Sequence, residues 1–175
     1  MEKQIIIING TGGSGKDTFV EFCSKYAKVT NFSSIDRVKE VAKVIGWNGQ
    51  KTEKDRKFLS DLKRLTTDYN DMAFNSIKDA VTQFENSDNE ILFIHIREPE
   101  EILRATSIFK AKTLLVKRIG LANIETNYSD ANVDNYPYDY IIENTTLEEL
   151  DSNALIFVGK IKSKDINMKM VKQFY

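Results

Sequence analysis

The stretch Ile5-Ile6-Ile7-Ile8-Asn9-Gly10-Thr11-Gly12-Gly13-Ser14-Gly15-Lys16-Asp17-Thr18 decides how the rest of the chain is read. Four β-branched residues without alternation, stopped by Asn9-Gly10, describe a parallel strand covered on both faces. Past Lys16 the apolar residues Phe19, Val20, Cys23 and Tyr26 recur at helical spacing, so the unit is strand, glycine loop, helix. Four glycines between positions 10 and 15 are a costly way to build an ordinary turn. Each loses more backbone freedom on folding than any other residue, which argues for a loop that serves a ligand.

The loop fits two templates. Gly10, Gly12 and Gly15 match the three spaced glycines of a dinucleotide site, which would serve an NAD(P)-dependent oxidoreductase. Gly10, four residues, then Gly15 and Lys16 match the phosphate loop, or Walker A pattern. In the second reading Gly10, Thr11, Gly12, Gly13, Ser14 and Gly15 supply a nest of amides, and Lys16 reaches the β- and γ-phosphates. Lys16 favours the phosphate loop. A dinucleotide site also wants an acid about 20 positions on, at the end of the second strand, where this chain has Phe32-Ser33-Ser34 and a late Asp36. Asp17 stands where the loop ordinarily carries Ser or Thr for magnesium. Its carboxylate is a hard oxygen ligand able to serve that ion directly or through water, and Thr18 stays available for a phosphate.

Outward from the loop, strands and helical patterns alternate. A short strand is expected at Lys28 to Phe32. Ser34 is placed to cap a helix carrying Val38, Val41, Ala42 and Ile45 and ended by Gly46. Thr52 with Asp55 forms a variant capping box. The long helical stretch it opens carries Phe58, Leu62, Leu65, Tyr69, Met72, Ile77, Val81 and Phe84, with an interruption expected near Thr66-Thr67-Asp68. Ile91 to Ile96 reads as a second buried parallel strand, followed by Pro99, Glu100 and Glu101, suited to a first helical turn. A strand at Thr113 to Val116 ends at Lys117-Arg118. Residues 119 to 137 are polar and without period, a loop or lid. A strand at Tyr140 to Ile142 precedes a helix capped by Thr145 with Glu148 and carrying Leu147, Leu150, Ala154, Phe157, Val158 and Ile161. The final dozen residues give no single reading. This alternation specifies an α/β domain with a mostly parallel sheet.

The 175 residues suit one domain, 1–175, with 41% hydrophobic and 29% charged residues, outside the ranges of disordered chains and membrane bundles. Lys and Arg number 25 against 26 Asp and Glu, so no net field gathers a nucleic acid polymer or an anionic membrane. The single cysteine, Cys23, allows neither an internal disulfide nor a thiolate metal cluster and suits a reducing compartment. No run reaches the roughly 20 apolar residues of a membrane span, and a cytoplasmic protein is expected. Oligomeric state leaves no signal.

Individual residues carry paired readings. Arg97 leaves the carboxyl end of a strand, the edge where open α/β sheets place ligands, and can hold a phosphate through two parallel hydrogen bonds or form a surface ion pair. Arg118 can stabilise charge on a transferred group or be an ordinary loop arginine, and Arg104 is expected in solvent. Arg37 and Lys39 either grip an acceptor phosphate or form a solvated basic face. Arg56, Lys57, Lys63 and Arg64 with Asp55, Asp61 and Asp68 read as an exposed helix with local ion pairs. His95 reads as a hydrogen-bonded strand histidine and Trp47 as packing on a helix end. Tyr128, Tyr136, Tyr138 and Tyr140 order a lid or line a pocket.

With Ser14-Gly15-Lys16-Asp17-Thr18, Phe32-Ser33, a strand running out to Arg97, and Asp139 to Leu150 with Asn144 and Leu147-Glu148-Glu149-Leu150, the chain resembles the nucleoside-monophosphate-kinase branch of phosphate-loop proteins. It is most similar there to phage and bacterial deoxynucleoside monophosphate kinases and the related phosphomevalonate kinases. The resemblance implies a P-loop NTPase fold, three-layer α/β/α with a mostly parallel five-stranded sheet. It also implies ATP and magnesium at Gly10 to Thr18, with Asp17 on the metal and Lys16, Asp17, Arg97 and Arg118 in catalysis. A small phosphorylated acceptor, a (deoxy)nucleoside monophosphate foremost, would meet Ser33, Arg37, Lys39 and Arg97, using an insert at about 34–86 and a lid at about 118–137. The sequence departs from that pattern twice: His95-Ile96-Arg97 lacks the aspartate common there, and no arginine follows Arg118 in the lid segment. These departures motivate an alternative, a nucleotide-binding module that regulates without turnover.

Overall fold

Strand β1 (Gln4–Asn9) lies at the centre of a five-stranded parallel sheet of order β2-β3-β1-β4-β5. The other strands are β2 (Val29–Ser33), β3 (Ile91–His95), β4 (Lys112–Arg118) and β5 (Tyr140–Asn144), and the helices are α1 (Lys16–Cys23), α2 (Asp36–Val44), α3 (Glu53–Asn70), α4 (Met72–Glu85), α5 (Pro99–Phe109) and α6 (Leu147–Lys162). This computed structural model describes residues 3–120, 133 and 136–163. Most of the expected lid at 118–137, Tyr128 included, and the final dozen residues lie outside the described residues. Among the described residues no helix is long and apolar enough to cross a membrane.

The central position of β1 explains its unalternating sequence. Successive strand side chains point to opposite faces. Ile6 and Ile8 join Phe93, Leu114, Val116 and Ile142 beneath α1 and α6. There Phe19 meets Phe157 edge-on at 5.6 Å and Phe93 at 6.4 Å. On the alternate side Ile7, Leu92, Ile94 and Leu115 are buried, as are Ile102 and Ala105 of α5, which packs on β1 and β4. The result is a three-layer α/β/α P-loop NTPase fold. Each fully buried large apolar side chain contributes about 1.5–3 kcal/mol relative to exposure.

The chain divides into two compact units, Met1–Asn31 with Asp88–Tyr175, and Phe32–Ser87. The stretch 34–86 lies within the second. In it α2, α3 and α4 pack on one another, and Ala73, Phe74, Ile77, Val81 and Phe84 of α4 are buried. The Thr52–Asp55 capping box is present, as are the exposed ion pairs Lys57–Asp61 and Arg64–Asp61.

Three local expectations are corrected. Ser34 does not cap α2; the N-cap is Ile35, without a side-chain capping bond. The helix nevertheless ends as expected, with Gly46 N–H on the Lys43 carbonyl and Trp47 N–H on the Ala42 carbonyl. The break in the long helical stretch falls at Asp71, with φ 56°, instead of Thr66-Thr67-Asp68. Thr66 returns its hydroxyl to the Leu62 carbonyl at 2.9 Å inside an unbroken helix, while aspartate is among the few residues that enter the left-handed region readily. The cap of α6 is displaced by one residue. Thr146 accepts from the Glu149 N–H at 3.1 Å, and Thr145 donates to the Glu149 carboxylate from both its N–H and its hydroxyl at 2.8 Å. Those bonds hold the Glu149 carboxyl below the usual carboxylate range. The displacement follows from β5 running on to Asn144, whose amide is tied to β4.

Candidate functional site

The loop between Asn9 and Lys16 is shaped by close backbone approaches. Asn9 is buried, and its Oδ1 accepts the Gly10 N–H at 2.8 Å. Gly10 has φ 152°, and a Cβ there would run into the Val116 carbonyl oxygen and lie 2.6 Å from Ser14 Oγ. Gly15 precedes α1 without a side-chain capping bond. A helix N-terminus of this kind, with glycine at the cap position, is a favourable place for an anion. A cavity of about 250 Å³ lies here, lined by Gly13, Gly15, Lys16, Asp17, Thr18 and Arg118 together with Asn144, Thr146, Leu147 and Leu150.

Lys16 Nζ lies across the loop, donating to the carbonyls of Gly10 and Thr11 at 2.7 and 2.8 Å. Ser14 is fully buried, and its hydroxyl has no hydrogen-bond partner among the described residues. An unmet buried hydroxyl of this kind costs about 1–3 kcal/mol. A glycine loop, a helix N-terminus without a side-chain cap, a lysine held on the loop carbonyls and an unmet hydroxyl together fit a phosphate group. Asn144 Nδ2 holds the frame, donating to the Lys117 carbonyl at 2.6 Å and the Ser14 carbonyl at 3.4 Å.

Asp17 extends from the first turn of α1 with its side chain 91% exposed, and its Oδ1 is 3.8 Å from His95 Nε2 at the end of β3. His95 Nε2 also lies 2.8 Å from Asn31 Oδ1 on β2. Among the described residues no group of three carboxylates, imidazoles or thiolates is gathered for a metal. One exposed carboxylate beside a phosphate cradle is nonetheless what magnesium uses, since that ion keeps several waters and takes its remaining ligands from one or two carboxylates and substrate phosphates. Cys23 takes no part: it is in the core, and burial pushes its thiol up to about 12.

The sequence-predicted residues divide into three groups. Gly13, Gly15, Lys16, Asp17, Thr18 and Arg118 meet around one cavity, and Gly10 and Thr11 reach it through their carbonyls on Lys16, while Ser14 is buried in the loop. Gly12 has open space around its Cα. Arg97 follows β3 and is exposed, and its carbonyl accepts from Asn9 Nδ2 at 3.3 Å. Ser33, at the end of β2, and Arg37 and Lys39 of α2 belong to the second unit. There Arg37 pairs with Glu40 at 2.6 Å and Lys39 with Asp36 at 2.9 Å. Such exposed pairs are worth about 0–1 kcal/mol. Asn144, Thr146 and Leu147 were missed as lining residues. Their signal was position, at and just past the carboxyl end of β5, the edge where open α/β sheets bind ligands.

A part-buried network runs from Asn9, at the start of the loop, to Tyr138 and Val133. Asn9 Nδ2 donates to the Tyr138 hydroxyl at 2.8 Å, and that hydroxyl donates to the Val133 carbonyl at 3.0 Å. Tyr136 packs edge-on against the Tyr138 ring at 5.1 Å. Tyr138→Phe deletes only the hydroxyl and is expected to cost about 1 kcal/mol, read as a lower urea midpoint with an unchanged slope.

The fold recurs in solved structures. TT1252 from Thermus thermophilus aligns over 92% of this chain and 98% of its own at 16% identity, with a TM-score of 0.55. The thymidylate kinase of Ehrlichia chaffeensis aligns over 90% and 100% at 12% identity with a TM-score of 0.47. The shikimate kinase of Aquifex aeolicus aligns over 92% and 99% at 15% identity with a TM-score of 0.46. The first of these likenesses shows a shared fold. The sequence matches no family model, and no curated protein matches it.

Proposed function

We propose that this protein is an ATP- and magnesium-dependent phosphotransferase acting on a small phosphorylated acceptor, a (deoxy)nucleoside monophosphate foremost, in a cytoplasmic setting. The observation that carries the reading is the single cavity on which the glycine cradle, Lys16, Asp17, Thr18 and Arg118 converge. Lys16 exchanges its two loop carbonyls for the β- and γ-phosphates of ATP, and Ser14 and the first amides of α1 complete the cradle. Thr146 and Leu147, on the far wall, offer a hydroxyl and an apolar surface to the rest of the nucleotide. Asp17 holds magnesium, whose positive charge, when bound, offsets the charge gathering on the phosphates. Arg118 meets the transferred group from the end of β4.

The acceptor side is assigned to Arg97, to Ser33 at the end of β2, and to Arg37 and Lys39 of the stretch 34–86, read as an insert within one functional domain, 1–175. An acceptor phosphate is largely ionised at neutral pH, its second ionisation lying near pH 6. Its oxygen attacks the γ-phosphorus as the bond to the β–γ bridging oxygen breaks, and ADP leaves; no strong general base is needed. The chain's contribution is positioning and charge neutralisation. A panel of nucleoside monophosphates with dephospho-coenzyme A and phosphomevalonate, each with ATP and magnesium, tests this. ADP formation above the acceptor-free rate with at least one supports it, and none with any rejects it. His95 in place of an aspartate favours a second reading, nucleotide binding without turnover, for which ATP affinity without acceptor-dependent ADP would be the signature.

Asp17→Asn keeps shape and one acceptor oxygen but removes the charge that attracts the ion. The variant is expected to need more magnesium for half-maximal rate. A carboxylate that served only the helix dipole would cost at most about 1 kcal/mol of stability and leave the magnesium titration unchanged.

A further inference from the structure

We propose that His95 is a positioning residue for Asp17, turning the loop carboxylate toward the phosphate side of the cradle by donating its Nε2–H to Oδ1. The proposal rests on the reading of Asp17 as the metal-side carboxylate. In the β1/β3 register His95 pairs with Ile8, so the imidazole stands at the carboxyl edge of the sheet beside the strand that feeds the loop. Its side chain is only 14% exposed, whereas that of Asp17 is 91% exposed.

Chemistry gives the contact its direction. Asn31 Oδ1, 2.8 Å from Nε2, is an acceptor only, so the nitrogen between them carries the proton. The same nitrogen faces Asp17 Oδ1 at 3.8 Å, about 1 Å beyond hydrogen-bonding distance. That gap is within reach of an exposed side chain changing rotamer. Because Nε2 carries one hydrogen, a bond to Asp17 Oδ1 replaces the one to Asn31 Oδ1, whose exposed amide oxygen turns to water, and it leaves Asp17 Oδ2 for an ion. A second carboxylate at this strand end would face Asp17 with like charge, while a ring N–H steadies it and leaves its charge intact.

A double-mutant cycle tests the coupling: wild type, His95→Leu, Asp17→Asn and the double variant. The readout is the magnesium concentration at half-maximal binding of a non-hydrolysable ATP analogue, measured by calorimetry. His95→Leu is expected to raise that concentration about tenfold, the lower end of what partners of metal-ligating groups contribute. In the Asp17→Asn background it should add nothing further. His95→Gln, which keeps an N–H near the position of Nε2, should stay close to wild type. His95→Asn, too short to reach Asp17, should behave as the leucine variant does and replaces it if the latter does not fold. An equal shift in both backgrounds would overturn the proposal, as would a shift on Asp17→Asn with none on either His95 loss variant. No shift on Asp17→Asn itself would overturn the reading of Asp17, and the proposal with it.

Discussion

Lys16→Ala is expected to lower phosphoryl transfer by about 100- to 1,000-fold, the scale of one lost transition-state donor in a preorganised site. The ammonium bridges the carbonyls of Gly10 and Thr11 at the loop mouth, so it already stands where phosphate oxygens would arrive. The apolar core beneath α1 is formed by Phe19, Val20 and Cys23, and none of that packing needs the lysine. The variant should therefore keep its unfolding midpoint while losing activity. A folded variant with full activity would remove Lys16 from the chemistry.

The second large effect is expected at Gly10. A methyl group there meets the Val116 carbonyl oxygen and Ser14 Oγ, and one of those obstacles is backbone of the central sheet. Gly10→Ala should cost at least about 2 kcal/mol, within the range for forcing atoms into packed structure, and should abolish ATP binding because the cradle cannot keep its shape. Gly12→Ala is the matched control. Nothing lies within 4 Å of a Cβ at that position, so its stability should stay within about 0.5 kcal/mol of wild type, as for surface substitutions generally. Urea unfolding and an ATP titration on both variants check the contrast. Equal behaviour of the two would show that the close approach at Gly10 does not shape the loop.

The parts of the fold legible in the sequence are those fixed by local pattern. Ile5 to Ile8 and Ile91 to Ile94 read as strands covered on both faces, and the four glycines before Lys16 read as a loop between strand and helix, as the fold has it. Where two local signals competed, the outcome depended on neighbours. Thr145 with Glu148 and Thr146 with Glu149 are both capping pairs, and the second is used because Asn144 stays in β5, bound to the Lys117 carbonyl at 2.6 Å. Thr66-Thr67-Asp68 looked like a helix break because hydroxyls compete for backbone. Here the Thr66 hydroxyl is satisfied within α3, and Asp71 turns the chain instead.

The site follows the same division. Gly10 to Thr18 is contiguous and could be read at once. The far wall, Asn144 to Leu150, reaches the loop only because β5 pairs with β4 and β4 with β1. The approach of His95 to Asp17 depends on the register that sets His95 beside Ile8. No spacing in the sequence encodes either meeting.

That the loop from Gly10 to Thr18 grips a triphosphate is the claim on which the rest depends, and a competition titration tests it most directly. Wild-type protein with magnesium is titrated with ATP alone, and again with NADH or NADPH in excess. ATP is expected to bind, the dinucleotides to displace it poorly, and Lys16→Ala to weaken ATP binding. Dinucleotide binding tighter than ATP, or no ATP binding by the folded protein, would contradict it.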